Sequence, residues 1–360
     1  MVEGAPFKWT QWITPLLIGA VASGVVLWFG AHYEVTDPQT GEISTSWALL
    51  QQFEWTSRST LALVGVIVCV LVRDIGYIIR LRVLSFQSFS WRQATENILL
   101  WELSSALTPS VVGGSAVAVI ILKRDGMQWG KSLATVFVTA LMDEAFYLIA
   151  VPLVFFLTTI GGQSIFPELF ESSAWGSFFW VAYAFIATLT TTILLGLVIR
   201  PHRTYDALQW VRVTWPFRRW SDRIDSWSRD LLEASQNMRS ASWKFWIRGF
   251  LATCSSWTAR FATLNMVLLI FYPSIDHAAV MARQLMLWLM LSISPTPGSS
   301  GAAELGLPAF LGDLTGLAYI AAVVLIWRTF TYFIYLVAGA FVLPNWLVRT
   351  RRKERNFGPQ

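Results

Sequence analysis

Charged side chains are scarce in this sequence. Asp, Glu, Lys and Arg make up 14% of the 360 residues, whereas soluble globular domains carry about 25%. Hydrophobic residues make up 55%, and the mean hydropathy is +0.52. Such a chain cannot cover a water-facing surface, and its apolar residues fall in blocks near the ~20 residues that cross a bilayer. The composition excludes a soluble protein and predicts an all-α polytopic membrane protein.

Metal-binding and catalytic patterns are also missing. Cys69 and Cys254 each lie inside an apolar block and are interpreted as small buried hydrophobes. The three histidines lie at or outside block ends, without His-x-x-x-His spacing. There is no Gly-x-Ser-x-Gly elbow and no Gly-x-x-x-x-Gly-Lys-Ser/Thr loop. We therefore expect no cofactor, no metal and no enzymatic activity, with an intramembrane hydrolase that uses Asp143 or Glu304 as an alternative.

The apolar residues form eight blocks, two of which contain a break. The blocks lie at about 12–31, 59–81, 98–122, 133–160, 176–199, 245–272, 281–311 and 314–343. The third block is broken at 108–114 and the seventh at 295–301, by Pro109, Gly113, Gly114, Pro295, Pro297, Gly298 and Gly301. Proline removes an amide donor and glycine adopts unusual dihedral angles, so each block is predicted to form two half-helices. Each half is too short to cross a bilayer alone and suits a re-entrant hairpin.

The distribution of Lys and Arg orients the chain. The loop 32–57 holds four acidic residues and no basic one, which places it outside. Segment 200–248 holds ten basic and five acidic residues, and the C-terminal tail is also basic, which places both in the cytoplasm. These assignments are met by six full spans and two hairpins inserted from opposite faces, with both termini cytoplasmic. An eight-span alternative would put Lys123 and Arg124 outside. The net charge of +5 then reflects contact with anionic lipid headgroups, not with nucleic acid.

The two breaks share the pattern Thr-Pro-x-x-x-Gly, and Asp125 and Asp313 each lie 16 residues after a proline of the break. Together with opposite insertion, this pattern predicts an inverted-topology repeat, which is common among transporters. The chain is interpreted as one transmembrane domain. Its parts are repeat one at about 59–160, an amphipathic cytoplasmic segment at 200–245, repeat two at about 246–343 and a basic cytoplasmic tail at 344–360.

The cytoplasmic segment contains one amphipathic stretch, at 220–234. Trp220, Ile224, Trp227 and Leu231 recur at helical spacing and form one apolar face. A helix with such a face either lies on the cytoplasmic leaflet or packs on the helix bundle. The sequence leaves both interpretations open.

Ionisable residues inside the blocks are the candidate site. Each costs about 2.5–3.5 kcal/mol at mid-membrane, so each should have a partner or a wet cavity. The candidates are Glu102, Asp143, Glu144, Arg283, Glu304 and Arg328. Neighbouring helical residues point about 100° apart, so Asp143 and Glu144 are not expected to share a site well.

Two further charges have a different interpretation. Arg73 and Asp74, late in their block, are interpreted as interfacial.

Broken helices and arginines together predict a site that binds an anion. The second half of a broken helix begins with unpaired N–H donors, and arginine binds phosphate well. We therefore expect the two hairpins and the prolines and glycines of their breaks to form a midplane cavity for a phosphate-bearing lipid headgroup. Glu304 and Asp143 would balance charge, bind an amine or carry a proton. Alternatively, Glu304 and Arg328 form a structural ion pair.

Residues 295–304, Pro-Thr-Pro-Gly-Ser-Ser-Gly-Ala-Ala-Glu, resemble the Pro-Thr-Pro-Gly-Gly-x-Gly-x-x-Glu signature of the flippase-like family. That family is named for the transmembrane region of lysylphosphatidylglycerol synthase, the multiple peptide resistance factor. Pro109, the glycines after it and Asp143 are similar to its first, looser motif, and Arg328 matches an arginine of its last region. The resemblance covers about 59–348. Ser299 departs from it by replacing a glycine, and the first motif lacks an acidic residue after its glycines.

The resemblance implies a prokaryotic inner-membrane protein that moves a lipid between leaflets and does not synthesise one. The alternative is a non-transporting membrane partner that positions a glycosyltransferase or a lipid-modifying enzyme through the cytoplasmic helix. The sequence leaves homo-oligomerisation open.

Overall fold

The computed structural model describes most of the chain after residue 42. The described residues are 21, 24, 28, 32, 34–36, 43–108, 110–160, 173–214, 217–292, 296, 298–299, 301–315 and 319–357. The first predicted span, at about 12–31, lies almost wholly outside them. The prediction of a helical membrane protein is confirmed, with a two-stranded antiparallel ribbon added between β1 (Glu34–Thr36) and β2 (Ile43–Thr45).

Helices account for nearly all the remaining described residues. In chain order they are α1 (Ser46–Gln51), α2 (Ser57–Leu84), α3 (Trp91–Leu107), α4 (Ser110–Arg124), α5 (Trp129–Ile160), α6 (Ser173–Ile193), α7 (Pro201–Val213), α8 (Ser221–Ser240), α9 (Trp243–Phe271), α10 (His277–Ser292), α11 (Ala302–Thr315), α12 (Ile320–Arg328) and α13 (Ile334–Phe357). A π-helical turn, Leu194–Ile199, extends α6, and a second, Thr329–Phe333, joins α12 to α13. A 3₁₀ turn, Phe217–Trp220, precedes α8.

Five of the described helical segments are long and apolar enough to cross a bilayer. They are Ser57–Leu84, Trp129–Leu157, Phe179–Ile199, Trp243–Phe271 and Ile320–Arg351. The shortest has 21 residues, about 31 Å of helix, which matches a hydrocarbon core of about 30 Å. The chain is therefore an integral, multi-pass membrane protein.

Helices α2 and α9 form the closest pair of the bundle. Small residues allow this approach: a Cβ atom on Gly76 would lie 2.2 Å from Ser256 Oγ and 2.9 Å from the Ala252 carbonyl oxygen. The Ser256 hydroxyl donates to the Arg73 carbonyl oxygen at 2.9 Å. Small residues and hydroxyl hydrogen bonds are the usual means of packing helices in lipid, where no hydrophobic force drives them together. The opposite face of α2 exposes large apolar side chains such as Leu61, as a lipid-facing surface requires.

Each broken block folds as two antiparallel helices, here called hairpin A (α3 and α4) and hairpin B (α10 and α11). In hairpin A, the Asn97 amide donates to Asp125 Oδ2 at 3.1 Å, which joins the start of α3 to the end of α4. In hairpin B, Arg283 near the start of α10 donates to the Phe310 carbonyl oxygen at 3.0 Å, near the end of α11. The break in each hairpin is called its tip.

One detail of the predicted break in hairpin A is wrong. Gly113 and Gly114 lie within α4, which already begins at Ser110. The structure gives Gly114 a packing role instead, because a Cβ atom there would lie 2.3 Å from Ser105 Oγ and 2.9 Å from Ser105 Cα. This glycine lets the two helices of hairpin A pack closely. Pro109 itself lies outside the described residues.

Helix α8 packs on the bundle through its second half. Leu231, Ala234 and Met238 are buried against α5, where Ala134 and Val138 belong to the same apolar cluster. This agrees with the packed interpretation of segment 220–234.

Not all of the predicted apolar face of α8 is covered. Trp220 and Trp227 are each 39% exposed, so they lie on the outer surface of the helix.

A polar cluster holds α7 against α8. The Gln209 amide donates to Asp225 Oδ1 at 2.9 Å, and Arg212 and Arg229 each form an ion pair with the same carboxylate at 2.6 Å. The hydrogen bond from Gln209 and the two guanidinium groups hold the pKa of Asp225 below its usual range. The helical segment between the fifth and sixth predicted spans is thus fixed by polar contacts as well as by the apolar contacts of α8.

Candidate functional site

A cavity of about 220 Å³ lies where the tips of hairpins A and B meet helices α2, α5, α9 and the α12–α13 segment. A direct contact joins the tips, because the Gly298 amide donates to the Thr108 carbonyl oxygen at 3.4 Å. The Tyr332 hydroxyl, from the π-helical turn between α12 and α13, donates to the Ala106 carbonyl oxygen at 3.2 Å. The charged residues that line the cavity are Arg80, Glu102, Asp143, Glu144, Arg260 and Arg328. The aromatic ones are Tyr77, Trp101, Tyr147, Trp257, Trp288, Trp327, Tyr332 and Tyr335.

Arg80 and Asp143 form the first ion pair of the cavity wall and link α2 to α5. Arg80 also donates to Thr253 Oγ1 at 3.2 Å, and the Trp257 indole donates to Asp143 Oδ1 at 2.6 Å. The pair is thus connected to α9 through both of its members. Removing either partner would leave a charge inside the membrane without its counterion.

Arg73 and Glu102 form the second ion pair, between α2 and hairpin A. The Arg73 guanidinium also lies 4.6 Å from the ring centroid of Tyr335, within the range of a cation–π contact. Arg73, interpreted from the sequence as interfacial, is fully buried within the protein. Asp74 accepts a hydrogen bond from the Tyr335 hydroxyl at 2.8 Å. The two neighbours therefore face the protein interior, because α13 packs over them.

Glu304 and Arg328 form the third ion pair, with Arg328 Nε 2.8 Å from Glu304 Oε1. The Glu304 side chain is 0% exposed, and its Oε2 accepts the Gly301 amide proton at 2.7 Å. A carboxylate in the first turn of α11 also satisfies the positive end of the helix dipole. Arg328 lies directly before the π-helical turn Thr329–Phe333, and such turns occur often at functional sites.

Arg260 and Glu144 line the same cavity without an ion pair to any described residue. Arg260 was not predicted as a site residue from the sequence. A signal for it was present, because Arg260 is the one charged residue of the apolar stretch 249–271. Asp143 and Glu144 were not expected to share a site, but both line this cavity. The cavity extends along α5 far enough to reach both side chains.

The remaining predicted site residues divide between the cavity and its surroundings. Gly298 lines the cavity at φ +55°, and Gly301 adopts φ +83° at the start of α11. Gly113 packs against Thr108, and Gly114 against Ser105. Arg283 bonds Asp313, with 2.7 Å between Nη2 and Oδ2, at the far end of hairpin B from the cavity. Pro295 and Pro297 lie outside the described residues, as Pro109 does.

The arrangement can bind a small polar group of either sign. Arginine side chains offer hydrogen-bond donors to an anion, whereas carboxylates and hydroxyl groups offer acceptors to a cation. Among the described residues, no three His, Cys, Asp or Glu side chains cluster as metal ligands would. The fold and the site thus define a class: a multi-pass helical membrane protein with a charged cavity between two broken helices.

The comparison with known families agrees with this class. Residues 13–339 match the family model described as the lysylphosphatidylglycerol synthase TM region, so the chain belongs to that family. The resemblance seen in residues 295–304 is thereby confirmed. The chain is also similar to a UPF0104 membrane protein of Archaeoglobus fulgidus, with 24% identity over 257 residues, which cover 69% of this chain and 74% of that protein.

Proposed function

We propose that this chain is a lipid translocase, which moves a polar, phosphate-bearing lipid headgroup between the two leaflets of a prokaryotic inner membrane. The observation that carries this proposal is the charged cavity at the contact between the two hairpin tips. Membership of a family named for a lipid-modifying synthase supports a lipid-related role. The headgroup would occupy the cavity while the acyl or prenyl chains stay in the bilayer.

The proposed topology has six full spans and two re-entrant hairpins that form an inverted repeat. Helix α3 has 17 residues and α4 has 15, so neither exceeds about 26 Å, short of the ~30 Å of hydrocarbon. Arg92 near the start of α3 and Arg124 at the end of α4 suit a common cytoplasmic side. Both termini are then cytoplasmic, and gating of one repeat against the other exposes the cavity to each side in turn.

No catalytic step forms part of this proposal. The carboxylates Glu102, Asp143 and Glu304 each bond an arginine, which supports a binding role over acid–base catalysis. Lipid passage through such a site leaves the covalent structure of the lipid unchanged. Mass spectrometry of lipids before and after incubation with the purified chain checks this point, and a new lipid product would contradict it.

Exchange of fluorescent lipid in proteoliposomes tests the translocase. Dithionite reduces labelled phospholipid in the outer leaflet, so loss of the protected inner-leaflet signal reports exchange by the purified chain. We expect Glu304→Gln and Arg328→Ala to slow exchange about tenfold or more, equivalent to about 1.4 kcal/mol on the barrier. Arg248→Gln is the matched control, because Arg248 is an exposed residue of α9 that does not line the cavity.

The folded state of each variant is checked by gel filtration and by its thermal unfolding in detergent. Unchanged exchange by both folded variants would reject the assigned site. Absence of exchange by the wild-type chain, with a range of headgroups, would reject the translocase.

The second candidate is a non-transporting partner that positions a glycosyltransferase or a lipid-modifying enzyme. The exposed Trp220, at the end of the 3₁₀ turn before α8, and Trp227 of α8 favour it, because aromatic residues are enriched at protein interfaces. This candidate predicts that a peripheral enzyme co-purifies with the chain and is lost when both indoles are changed to alanine. It also predicts no lipid exchange by the purified chain, which separates it from the translocase.

A further inference from the structure

Not every charged residue around the cavity forms an ion pair with another described residue. Three arginines are matched by three carboxylates in the pairs Arg73–Glu102, Arg80–Asp143 and Arg328–Glu304. Two cavity-lining residues stay outside these pairs, Arg260 on α9 and Glu144 on α5. One is a cation and the other an acidic residue. A ligand with both an anionic and a cationic group would offer each of them a partner.

Arg260 is held by aromatic side chains and still has a donor to offer. Its guanidinium carbon lies 4.1 Å from the ring centroid of Trp288 and 5.1 Å from that of Trp257, and its Nη1 donates to the Tyr77 hydroxyl at 3.2 Å. Its Nε is buried without an acceptor among the described residues. Glu102 lies within electrostatic range but bonds Arg73. A guanidinium placed by aromatic rings, with an unpartnered donor, suits a phosphate oxygen.

Among the described residues, Glu144 lacks a hydrogen-bond donor, just as Arg260 lacks an acceptor for its Nε. Its Oε2 is buried and accepts no hydrogen bond from any described residue. Its neighbour Asp143 is already bonded by Arg80 and Trp257, so those donors serve the other carboxylate. A buried carboxylate without a donor is costly, and an ammonium group offers both the charge and the hydrogen bonds that would offset the cost.

We propose that the cavity binds a zwitterionic phosphodiester headgroup, with its phosphate on Arg260 and its primary amine on Glu144. A zwitterion adds no net charge, so it supplies a partner to each residue without upsetting the three internal pairs. A purely anionic headgroup would leave Glu144 unmatched and place further negative charge in the same cavity. The inference rests on the proposed function for its choice of a lipid, but it concerns binding and not movement.

Competitive retention of two lipids tests the headgroup assignment. Purified, delipidated protein is mixed with equal amounts of phosphatidylethanolamine and phosphatidylglycerol of identical acyl chains, and retained lipid is measured by native mass spectrometry. The wild-type chain is expected to favour phosphatidylethanolamine about tenfold. Glu144→Gln should remove most of this preference, because the neutral amide no longer attracts the amine. Arg260→Gln should lower retention of both lipids, because both carry the phosphate.

Two further variants keep the result interpretable. Arg248→Gln, on the exposed part of α9, should behave as the wild type. Arg260→Lys retains the charge and should retain part of the binding if Arg260→Gln proves unstable. A wild-type preference for phosphatidylglycerol, or an unchanged preference in Glu144→Gln, would overturn the assignment of the amine. Equal retention in Arg260→Gln and the wild type would overturn that of the phosphate.

Exchange measured on the same variants separates this inference from the proposed function. If the wild-type chain retains phosphatidylethanolamine selectively but does not exchange it, the translocase fails and the binding site stands. If it exchanges both lipids alike, and Glu144→Gln exchanges them at the wild-type rates, the translocase stands and the zwitterion site fails.

Discussion

Hairpins A and B have the same antiparallel shape but differ at their tips. In hairpin A, two residues separate α3 from α4, whereas nine residues separate α10 from α11 in hairpin B. Among its described residues, the longer break holds three with positive φ, namely Gly298 at +55°, Ser299 at +52° and Gly301 at +83°. This backbone leaves the helical hydrogen-bonding pattern, and its amides donate to other acceptors: Gly298 to the Thr108 carbonyl oxygen and Gly301 to Glu304 Oε2. Hairpin B therefore brings irregular backbone to the cavity, while hairpin A brings helix ends and a wall.

The far ends of the two hairpins differ as well. In hairpin A, the Asp125 side chain is fully buried and is bonded by Asn97 and by Arg349 of α13, with Arg349 Nη2 3.0 Å from Asp125 Oδ1. In hairpin B, the matching Asp313 is 56% exposed and bonds Arg283. Hairpin A is thus fixed to the last helix, whereas the end of hairpin B is held by its own partner helix. We therefore expect the far end of hairpin A to be held more firmly than that of hairpin B.

The largest expected effect is an all-or-none labelling pattern. In a background free of native cysteines, cysteines replacing Ser88 and Gln128 flank hairpin A, and cysteines replacing Ser274 and Asp313 flank hairpin B. All four positions are exposed. We expect membrane-impermeant maleimide to label the hairpin B pair from outside intact cells, and the hairpin A pair only after the cells are opened. Residues of one pair labelled from opposite faces would break the comparison, because that hairpin would then cross the membrane.

The next effect concerns the buried ion pair between Glu304 of hairpin B and Arg328 of α12. Arg328→Met leaves Glu304 fully buried without its counterion, which should cost about 3–5 kcal/mol of unfolding free energy. Arg73→Met in the hairpin A pair should cost less, because Glu102 lines the cavity, where water can solvate it. Thermal unfolding in detergent measures both, and the double variant Arg328→Met/Glu304→Leu should recover much of the loss. If Arg73→Met lowered the unfolding free energy more than Arg328→Met, then the Arg73–Glu102 pair would be the more deeply buried of the two.

A smaller effect compares one glycine from each hairpin. A Cβ atom on Gly298 would lie 2.5 Å from Tyr332 Cε2, at a φ that costs a residue with a Cβ about 1–2 kcal/mol. Gly114→Ala meets Ser105 in a regular helix, and we expect about 1–3 kcal/mol from overpacking. Both variants should lower the unfolding midpoint, but only Gly298→Ala should also slow lipid exchange. Gly301→Ala, with nothing within 4 Å of its Cβ, is the control for the φ cost alone.

The smallest effect compares the two far-end aspartates. Asp125→Asn weakens charged hydrogen bonds in a buried site, worth about 1.5–3 kcal/mol, whereas Asp313→Asn weakens a partly exposed pair, worth about 0–1 kcal/mol. The unfolding midpoint should therefore fall more for Asp125→Asn. Equal unfolding midpoints for the two variants would contradict this comparison. They would show that the contact with α13 does not make the far end of hairpin A firmer than that of hairpin B.

The positions of the long helices could be predicted because lipid imposes a length on each apolar block. Helix α9, Trp243–Phe271, lies within two residues of its predicted block at 245–272. The ends extend further where polar residues begin a helix, as at His277 of α10, whose predicted block starts at 281. Hydropathy marks where hydrocarbon is crossed, but a helix continues into the interface as long as its backbone hydrogen bonds continue.

The partners of the charged residues could not be predicted from the sequence, apart from the pair formed by Glu304 and Arg328. Arg80 and Asp143 are 63 residues apart, and their contact depends on how α2 and α5 pack. The same holds for Arg260, whose role depends on two indoles and on the carboxylates that other arginines already occupy. Spacing along one helix defines a face, but the rotation of two helices about their axes decides which faces meet.

The contacts at the tip of hairpin A bear on how the proposed cavity would open. Gly298 and Tyr332 attach to the carbonyl oxygens of Thr108 and Ala106 through one hydrogen bond each. Two such bonds contribute about 1–3 kcal/mol in total, so they alone would hold the tip only weakly. Opening at this point would also have to break, or carry along, the ion pair between Arg73 of α2 and Glu102 of hairpin A.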